Sequence, residues 1–309
     1  MAKETFKTMI GGQALIEGIM MRGPEKDAIV VRTPEGLKTE ISDRKIYPKT
    51  SPLSWPFIRG PVNFFDAQFT GIKALMKSAD LNPEAAAEES SKFDKWLEEK
   101  LSDKKNRGAL MTVLVCISLL FSIGLFFVLP MLLGSVFEIW VKNIFTLNLI
   151  EGLIRVVILV VYMLLASLPK DMQRVFAYHG AEHKTICCYE AGLPLTVENV
   201  RKQCRFHPRC GTSFLLVVVV VSILVNSVVR LDNSFARMGC HLLLLPLVVG
   251  ISYEINRWCG KHDNWLSAIL SAPGKWLQHI TTREPDDDMI ECAIAAMEKV
   301  IPENGSDLW

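Results

Sequence analysis

Residues 109–133 run for 25 positions without one charged side chain, and no ordinary soluble domain of this size exposes or buries such a stretch alone. A helix needs about 20 apolar residues to cross the hydrocarbon of a bilayer, so this segment is expected to span. Three further runs have the same character. Residues 153–168 are apolar but for Arg155, residues 214–229 carry only Ser222, Asn226 and Ser227 as polar groups, and residues 238–251 continue through Tyr253. The last three are shorter and need their flanks to complete a span.

Composition agrees. Half of the 309 residues are hydrophobic, yet 22% are charged and the net charge is +1, which excludes a purely buried bundle and predicts a membrane protein with a substantial polar part. The fold class expected is mixed: an α-helical membrane core of about four transmembrane helices, a small β-rich N-terminal module and cytoplasmic helices. The corresponding division is 1–56 for the β-rich module, 57–106 for an amphipathic helix and charged linker, 107–256 for the membrane domain, whose loop 169–212 is cytoplasmic, and 257–309 for an interfacial and cytoplasmic tail.

Basic residues orient the spans. The loop 169–212 holds Lys170, Arg174, Lys184, Arg201, Lys202, Arg205 and Arg209, whereas 134–148 holds only Lys142. By the positive-inside bias this loop and both termini face the cytoplasm of a multi-pass cell-membrane protein. Arg230 and Arg237 flank the short outer turn, and Arg155 is expected to snorkel towards the outer face. The first spanning run begins a hundred residues in, so a cleaved secretory signal is not expected. Eight cysteines in such a setting read as thiols or metal ligands, not as a disulfide framework.

Within the cytoplasmic loop the chain reads His179-Gly-Ala-Glu182-His183, and 24 residues later His207-Pro-Arg209-Cys210-Gly. On a helix, His179 and His183 stand at i and i+4 and project from one face, with Glu182 one residue off that line. The order His-x-x-Glu-His is that of inverzincin-type zinc sites. A five-residue pattern alone also describes a polar helix face turned to solvent. The second segment changes the balance, because zinc takes three or four nitrogen or sulfur ligands from separate segments.

The ligand set read from the residues is His179, His183, His207 and Cys210, for a divalent metal, zinc being favoured by mixed imidazole and thiolate donors. Glu182 is the candidate general acid or base on a metal-activated water. Three ligands plus water imply an enzyme, a hydrolase; four close a tetrahedron and imply a structural ion in a noncatalytic membrane adaptor that binds a protein partner. Cys187 continues the same helix face but lies two turns from His179, about 12 Å of rise, too far to share an ion. Glu254, Gln13, Glu17 and Arg209 are candidates to support the ligands through hydrogen bonds, and His241 is expected to bond Asn226 or Asn233 inside the bundle.

Other elements are coarser. Residues 9–21, 28–33 and 36–41 read as strands, with Pro34-Glu35-Gly36 as a turn; Gln13, Glu17 and Arg22 are the polar residues among them that face a pocket or solvent. Residues 57–79 read as an amphipathic helix with Phe64, Phe65, Phe69, Ile72, Leu75 and Met76 on one side, lying on the bilayer or against the spans. Residues 82–105 read as a partly helical linker with the stripe Phe93, Trp96, Leu97 and Leu101. A helix over 171–189 ends at Gly192, Thr196 caps a short helix to Cys204, and Thr212 or Ser213 caps the third span. Trp258, Trp265 and Trp276 suit the membrane interface, and 289–300 has the period of a surface helix. No phosphate loop, dinucleotide fingerprint or basic aromatic groove is present, so nucleic acid is not an expected partner; the bilayer is.

The strings IGGQALIEGIMMRGP (10–24), YHGAEHKTI (178–186), LTVENVR (195–201), HPRCGTSF (207–214) and ITTREPDDD (280–288) resemble the YqhQ-like family of uncharacterised bacterial membrane proteins. The resemblance covers nearly the whole chain. It implies a bacterial inner-membrane protein and a metal-dependent enzyme, supplies no substrate, and points to His179, Glu182, His183, His207 and Cys210. The shared segment Gln13 to Arg22 implies that the N-terminal module closes over the same site.

Overall fold

The computed structural model describes residues 6–44, 50–83, 104–229, 231, 233–262 and 264–308; most of the expected linker, 84–103, lies outside them. Among the described residues the chain is mostly helical, with one small antiparallel sheet. It divides into two compact units, residues 1–85, 163–221 and 246–309 in one and 86–162 with 222–245 in the other.

In the first unit, strands β1 (Gly11–Leu15), β2 (Gly18–Arg22), β3 (Lys26–Thr33) and β4 (Gly36–Asp43) pair in the order β1-β2-β3-β4. The stretch 9–21, read from sequence as one strand, is therefore two. The chain reverses at Ile16-Glu17, with Glu17 at φ 49° and Leu15 opposite Gly18. Gly18 permits the close approach that follows, since a Cβ there would stand 2.5 Å from the Val30 carbonyl oxygen. The turn was hidden because both faces of β2 are covered: Ile19, Met20 and Met21 are all buried, and a strand buried on both faces shows no alternation.

Alternate residues serve the two faces. Leu15 and Met20 pack on Ala74 of helix α1 (Arg59–Leu81). Small Gly71, Ala74 and Ser78 form the buried side of α1, while Phe65, Phe69 and Ile72 on its opposite side are exposed. The other sheet face meets the main core of this unit, in which Ile19, Met21 and Val30 join Tyr178, Ala181, Ile290, Ala293 and Met297.

The last five come from two more helices of this unit. Numbered in order, the remaining helices are α2 (Lys104–Ile123), α3 (Leu129–Ser135), α4 (Ile144–Ala166), α5 (Lys170–Glu190), α6 (Val197–Arg201), α7 (Gly211–Ser227), α8 (Ser234–Lys261), α9 (Trp265–Thr281) and α10 (Asp287–Glu298). Helix α10, expected on the surface, is central: Ile290, Cys292, Ala293, Ala296 and Met297 are fully buried. Its periodicity revealed an apolar face but not that a sheet and α5 cover it. Gly192, at φ 66°, follows the end of α5, and the Thr196 hydroxyl caps α6. Helix α7 instead starts at Gly211, so Thr212 and Ser213, expected to precede it as caps, lie inside its first turn.

An extended strap, residues 282–286, links α9 to α10 and runs against α5. The Arg283 N–H donates to the Phe176 carbonyl at 2.8 Å, and a Cβ on Gly180 would lie 2.0 Å from the Arg283 carbonyl oxygen. Backbone meets backbone there, so no rotamer change relieves an added methyl. Gly180→Ala is expected to lower stability by about 2–3 kcal/mol, the cost of overpacking, read as a drop in the denaturation midpoint of the full chain in detergent.

Among the described residues, three helical segments are long and apolar enough to cross a membrane: Thr112–Ile139, Ile144–Ala166 and Phe235–Lys261. The fourth expected span, α7, has 17 residues, roughly 26 Å at 1.5 Å per residue, short of a 30 Å hydrocarbon layer. In the second unit polar groups are buried rather than snorkelling. Arg155 is 7% exposed, and its Nε–H donates to the Phe126 carbonyl at 2.9 Å, within the π turn Gly124–Val128. The sequence reading missed this because a π turn, which widens the helix, has no composition signature. Arg237 and Glu151 form a buried ion pair at 2.8 Å, and His241 bonds the Asn226 carbonyl.

Candidate metal centre

Helix α5 sets His179 and His183 one turn apart, with ring centroids 4.4 Å from each other. Both rings are held from behind. The His179 Nδ1–H donates to the Thr281 carbonyl at 2.8 Å and the His183 Nδ1–H to the Arg205 carbonyl at 2.6 Å; a carbonyl only accepts, so Nδ1 is the donor in both rings and Nε2 is the atom each leaves for the cluster, a lone-pair donor once an ion displaces any proton it carries. His179 Nε2 stands 3.1 Å from Cys210 Sγ. His183 Nε2 is buried and has no hydrogen-bond partner among the described residues.

One ligating atom each from His179, His183 and Cys210 lies within 4.8 Å of the other two. Ligand atoms around a tetrahedral zinc stand about 3.3–3.8 Å apart, given bonds of roughly 2.0–2.3 Å, so a small inward adjustment of side chains satisfies the ion. Electrostatics favour the same set. Burial pushes the Cys210 thiol up, but His179 and His183 more than offset it and hold the thiol well below its ordinary range. Burial lowers His179, yet the adjacent Cys210 carries it to about 9. The donor set thus fits a borderline divalent ion.

Glu182 lies beside this cluster. Its carboxylate accepts from the Gly12 N–H, and its Oε2 is buried without a partner among the described residues. Burial raises its pKa against the pull of His179 and His183. A Cβ on Gly12 would lie 2.9 Å from Glu182 Cδ and 2.8 Å from the Met20 carbonyl oxygen, so the backbone of β1 reaches the carboxylate because this position lacks a side chain.

His207, assigned with the ligands from sequence, is adjacent but turned elsewhere. Its ring centroid is 5.6 Å from that of His183, while its Nε2 lies 3.1 Å from Arg209 Nη2 and 3.5 Å from Glu190 Oε2. Burial lowers its pKa and Glu190 partly restores it, and the neutral ring accepts from Arg209. Arg209 in turn pairs with Glu190, which also accepts the Thr8 N–H at 2.8 Å. The loop itself is clamped by the buried Gln278: its Oε1 accepts from the His207 N–H, and its Nε2 donates to the His207 carbonyl and the Ser213 hydroxyl.

The other candidates separate. Gln13 joins the cluster in lining one cavity of about 540 Å³, together with Gly11, Gly12, Ala14, Phe64, Phe214, Arg209 and Glu182. Glu17 lies away from it, in an ion pair with Arg174 at 2.5 Å and within reach of the Tyr178 hydroxyl. Glu254 is held by Arg59 through two bonds of 2.7 and 2.5 Å, and Arg22 by Asp27 and Asp66. Glu190 and Gln278 were missed in the sequence, where nothing marks a lone Glu at a helix end or a Gln 71 positions from its partner. Gly11-Gly12 was the signal available for the close approach of β1.

A family model described as "Protein of unknown function (DUF1385)" matches residues 55–303. A protein of Bacillus subtilis (strain 168), described as "Uncharacterized protein YqhQ", is 35% identical over 315 residues, covering 97% of this chain and 95% of its own. No solved structure matches. The family model takes in both segments that meet at the cluster, and the relative extends the similarity to the strands in front of it: this chain belongs to the DUF1385 family.

Proposed function

We propose that the protein is a metal-dependent hydrolase working at the cytoplasmic face of the membrane, with zinc held by His179, His183 and Cys210 and with Glu182 moving the proton. The observation that carries this reading is the buried, unpartnered Nε2 of His183 beside a paired His and thiolate, all opening on a cavity. Three protein ligands leave a fourth position, the mark of a catalytic zinc. An ion there polarises a substrate carbonyl or phosphoryl oxygen and lowers the pKa of water. The chain's own groups do the rest: Thr281 and Arg205 carbonyls fix the rings, Cys210 supplies charge, and Glu182, held by Gly12, takes and returns a proton. The basic loop 169–212 and the exposed Phe65, Phe69 and Ile72 of α1 support a place against the cytoplasmic leaflet.

The opposing reading is a structural ion in a noncatalytic membrane adaptor, and it needs a fourth ligand. His207, the fourth donor read from the sequence, has its ring centroid 5.6 Å from that of His183, but its Nε2 is engaged by Arg209. Elemental mass spectrometry of the full chain purified without chelator is expected to find about one zinc per chain, lost in His183→Ala and kept in His207→Ala. Loss of zinc in both variants supports the closed, structural site; absence of metal from the wild type rejects both.

A further inference from the structure

Strand β1 is an edge of the sheet. Because Leu15 pairs with Gly18 across a two-residue turn, residues 15, 13 and 11 direct their N–H and C=O groups at β2, and those of Gly12 and Ala14 point away from the sheet. One of these four outward groups is used, the Gly12 N–H on Glu182. The Gly12 carbonyl and both backbone groups of Ala14 have no partner among the described residues. They stand in the wall of the cavity that holds His179, His183 and Cys210.

The opposite edge, β4, carries Lys38, Glu40 and Asp43, charges of the kind that block strand addition. The β1 sequence Gly-Gly-Gln-Ala-Leu carries no such block. Its open row of donors and acceptors has strand spacing, about 7 Å from Gly12 to Ala14, and ends at the carboxylate beside the cluster. Charge in the cavity argues against phosphate: among the described residues Arg209 is the one Lys or Arg in its lining, and Glu190 already neutralises it.

We infer that β1 receives an extended polypeptide as an added strand, so that the bond hydrolysed is a peptide bond set beside Glu182. This rests on the hydrolase reading above. Main-chain pairing supplies affinity as in other strand-addition complexes. In the reaction the oxygen of water bonds to the peptide carbonyl carbon and the C–N bond breaks. Glu182 carries a water proton to the leaving nitrogen, and the second proton follows, giving a carboxylate and an ammonium.

The test uses the full zinc-loaded chain in detergent with internally quenched decapeptides, p-nitrophenyl acetate and bis-p-nitrophenyl phosphate as probes. Peptides are expected to be cleaved. Methylating the backbone nitrogens of a cleaved peptide one at a time should lower kcat/KM about tenfold, the worth of one hydrogen bond, at alternate positions only. Ala14→Pro, which removes an outward N–H that the ladder does not use, should cost about the same with zinc content unchanged. Cleavage of the ester or phosphodiester without any peptide leaves the hydrolase standing and overturns the peptide substrate, as does tolerance of every N-methyl group. Zinc bound with no probe cleaved overturns both readings. A dimer by light scattering that Ala14→Pro dissociates would give the edge to a second copy and likewise overturn the inference.

Discussion

Glu182→Gln is expected to lower hydrolysis by about 10³-fold, within the range for loss of a general acid–base group, while zinc stays at wild-type stoichiometry. Glutamine keeps the shape and an oxygen to accept the Gly12 N–H, but it neither takes nor returns a proton. The ligands are untouched, because His179 and His183 are oriented by the Thr281 and Arg205 carbonyls, not by Glu182. Paired zinc analysis and turnover measurements on one preparation separate the roles. Loss of activity with metal retained supports the proton carrier; near-normal turnover would remove Glu182 from the chemistry, and loss of metal would make it a ligand.

Arg237→Ala is expected to destabilise the second unit by about 3–5 kcal/mol, the cost of stranding one member of a buried ion pair. Arg237 is 2% exposed and Glu151 4%, and water does not replace the lost partner in an apolar surround. The substitution leaves the Glu151 carboxylate without its 2.8 Å bond. The double variant Arg237→Met with Glu151→Leu should recover most of the loss, since removing both charges removes the desolvation cost as well. Unfolding in a denaturing-detergent titration reads both. A single variant as stable as wild type would show that the pair carries no net weight.

Much of this arrangement was legible in the residues. The i, i+4 spacing of His179 and His183 needs only a helix to bring the rings together, and the length of the apolar runs follows from the thickness of a bilayer. The Gly192 helix end and the Thr196 cap are local backbone rules. The placement of His207 was not legible. Spacing put it within reach of the His179–His183 pair, but Gln278, 71 positions away, and Glu190, acting with the neighbouring Arg209, decide where its ring points.

The same division holds for the strands and for the intramembrane charges. Period-2 alternation reports a strand with one wet face, so β1 and β2, covered by α1 on one side and by α5 and α10 on the other, merged into a single run. Arg155 looked able to snorkel because a sequence shows the length of a side chain but not the carbonyl that a π turn exposes to it.

By itself, then, the sequence determined a membrane-associated helical chain with a small β-rich N-terminal region, read as three strands, and it singled out His179, His183, His207 and Cys210 as candidate donors; these depend on composition and on spacings within a turn or two. Only the tertiary structure decided that three of the four donors converge, that the backbone of Gly12 holds Glu182, and that an open strand edge borders them. Those relations join residues that lie far apart in the chain, and they are set by which faces pack together, a property no local spacing encodes.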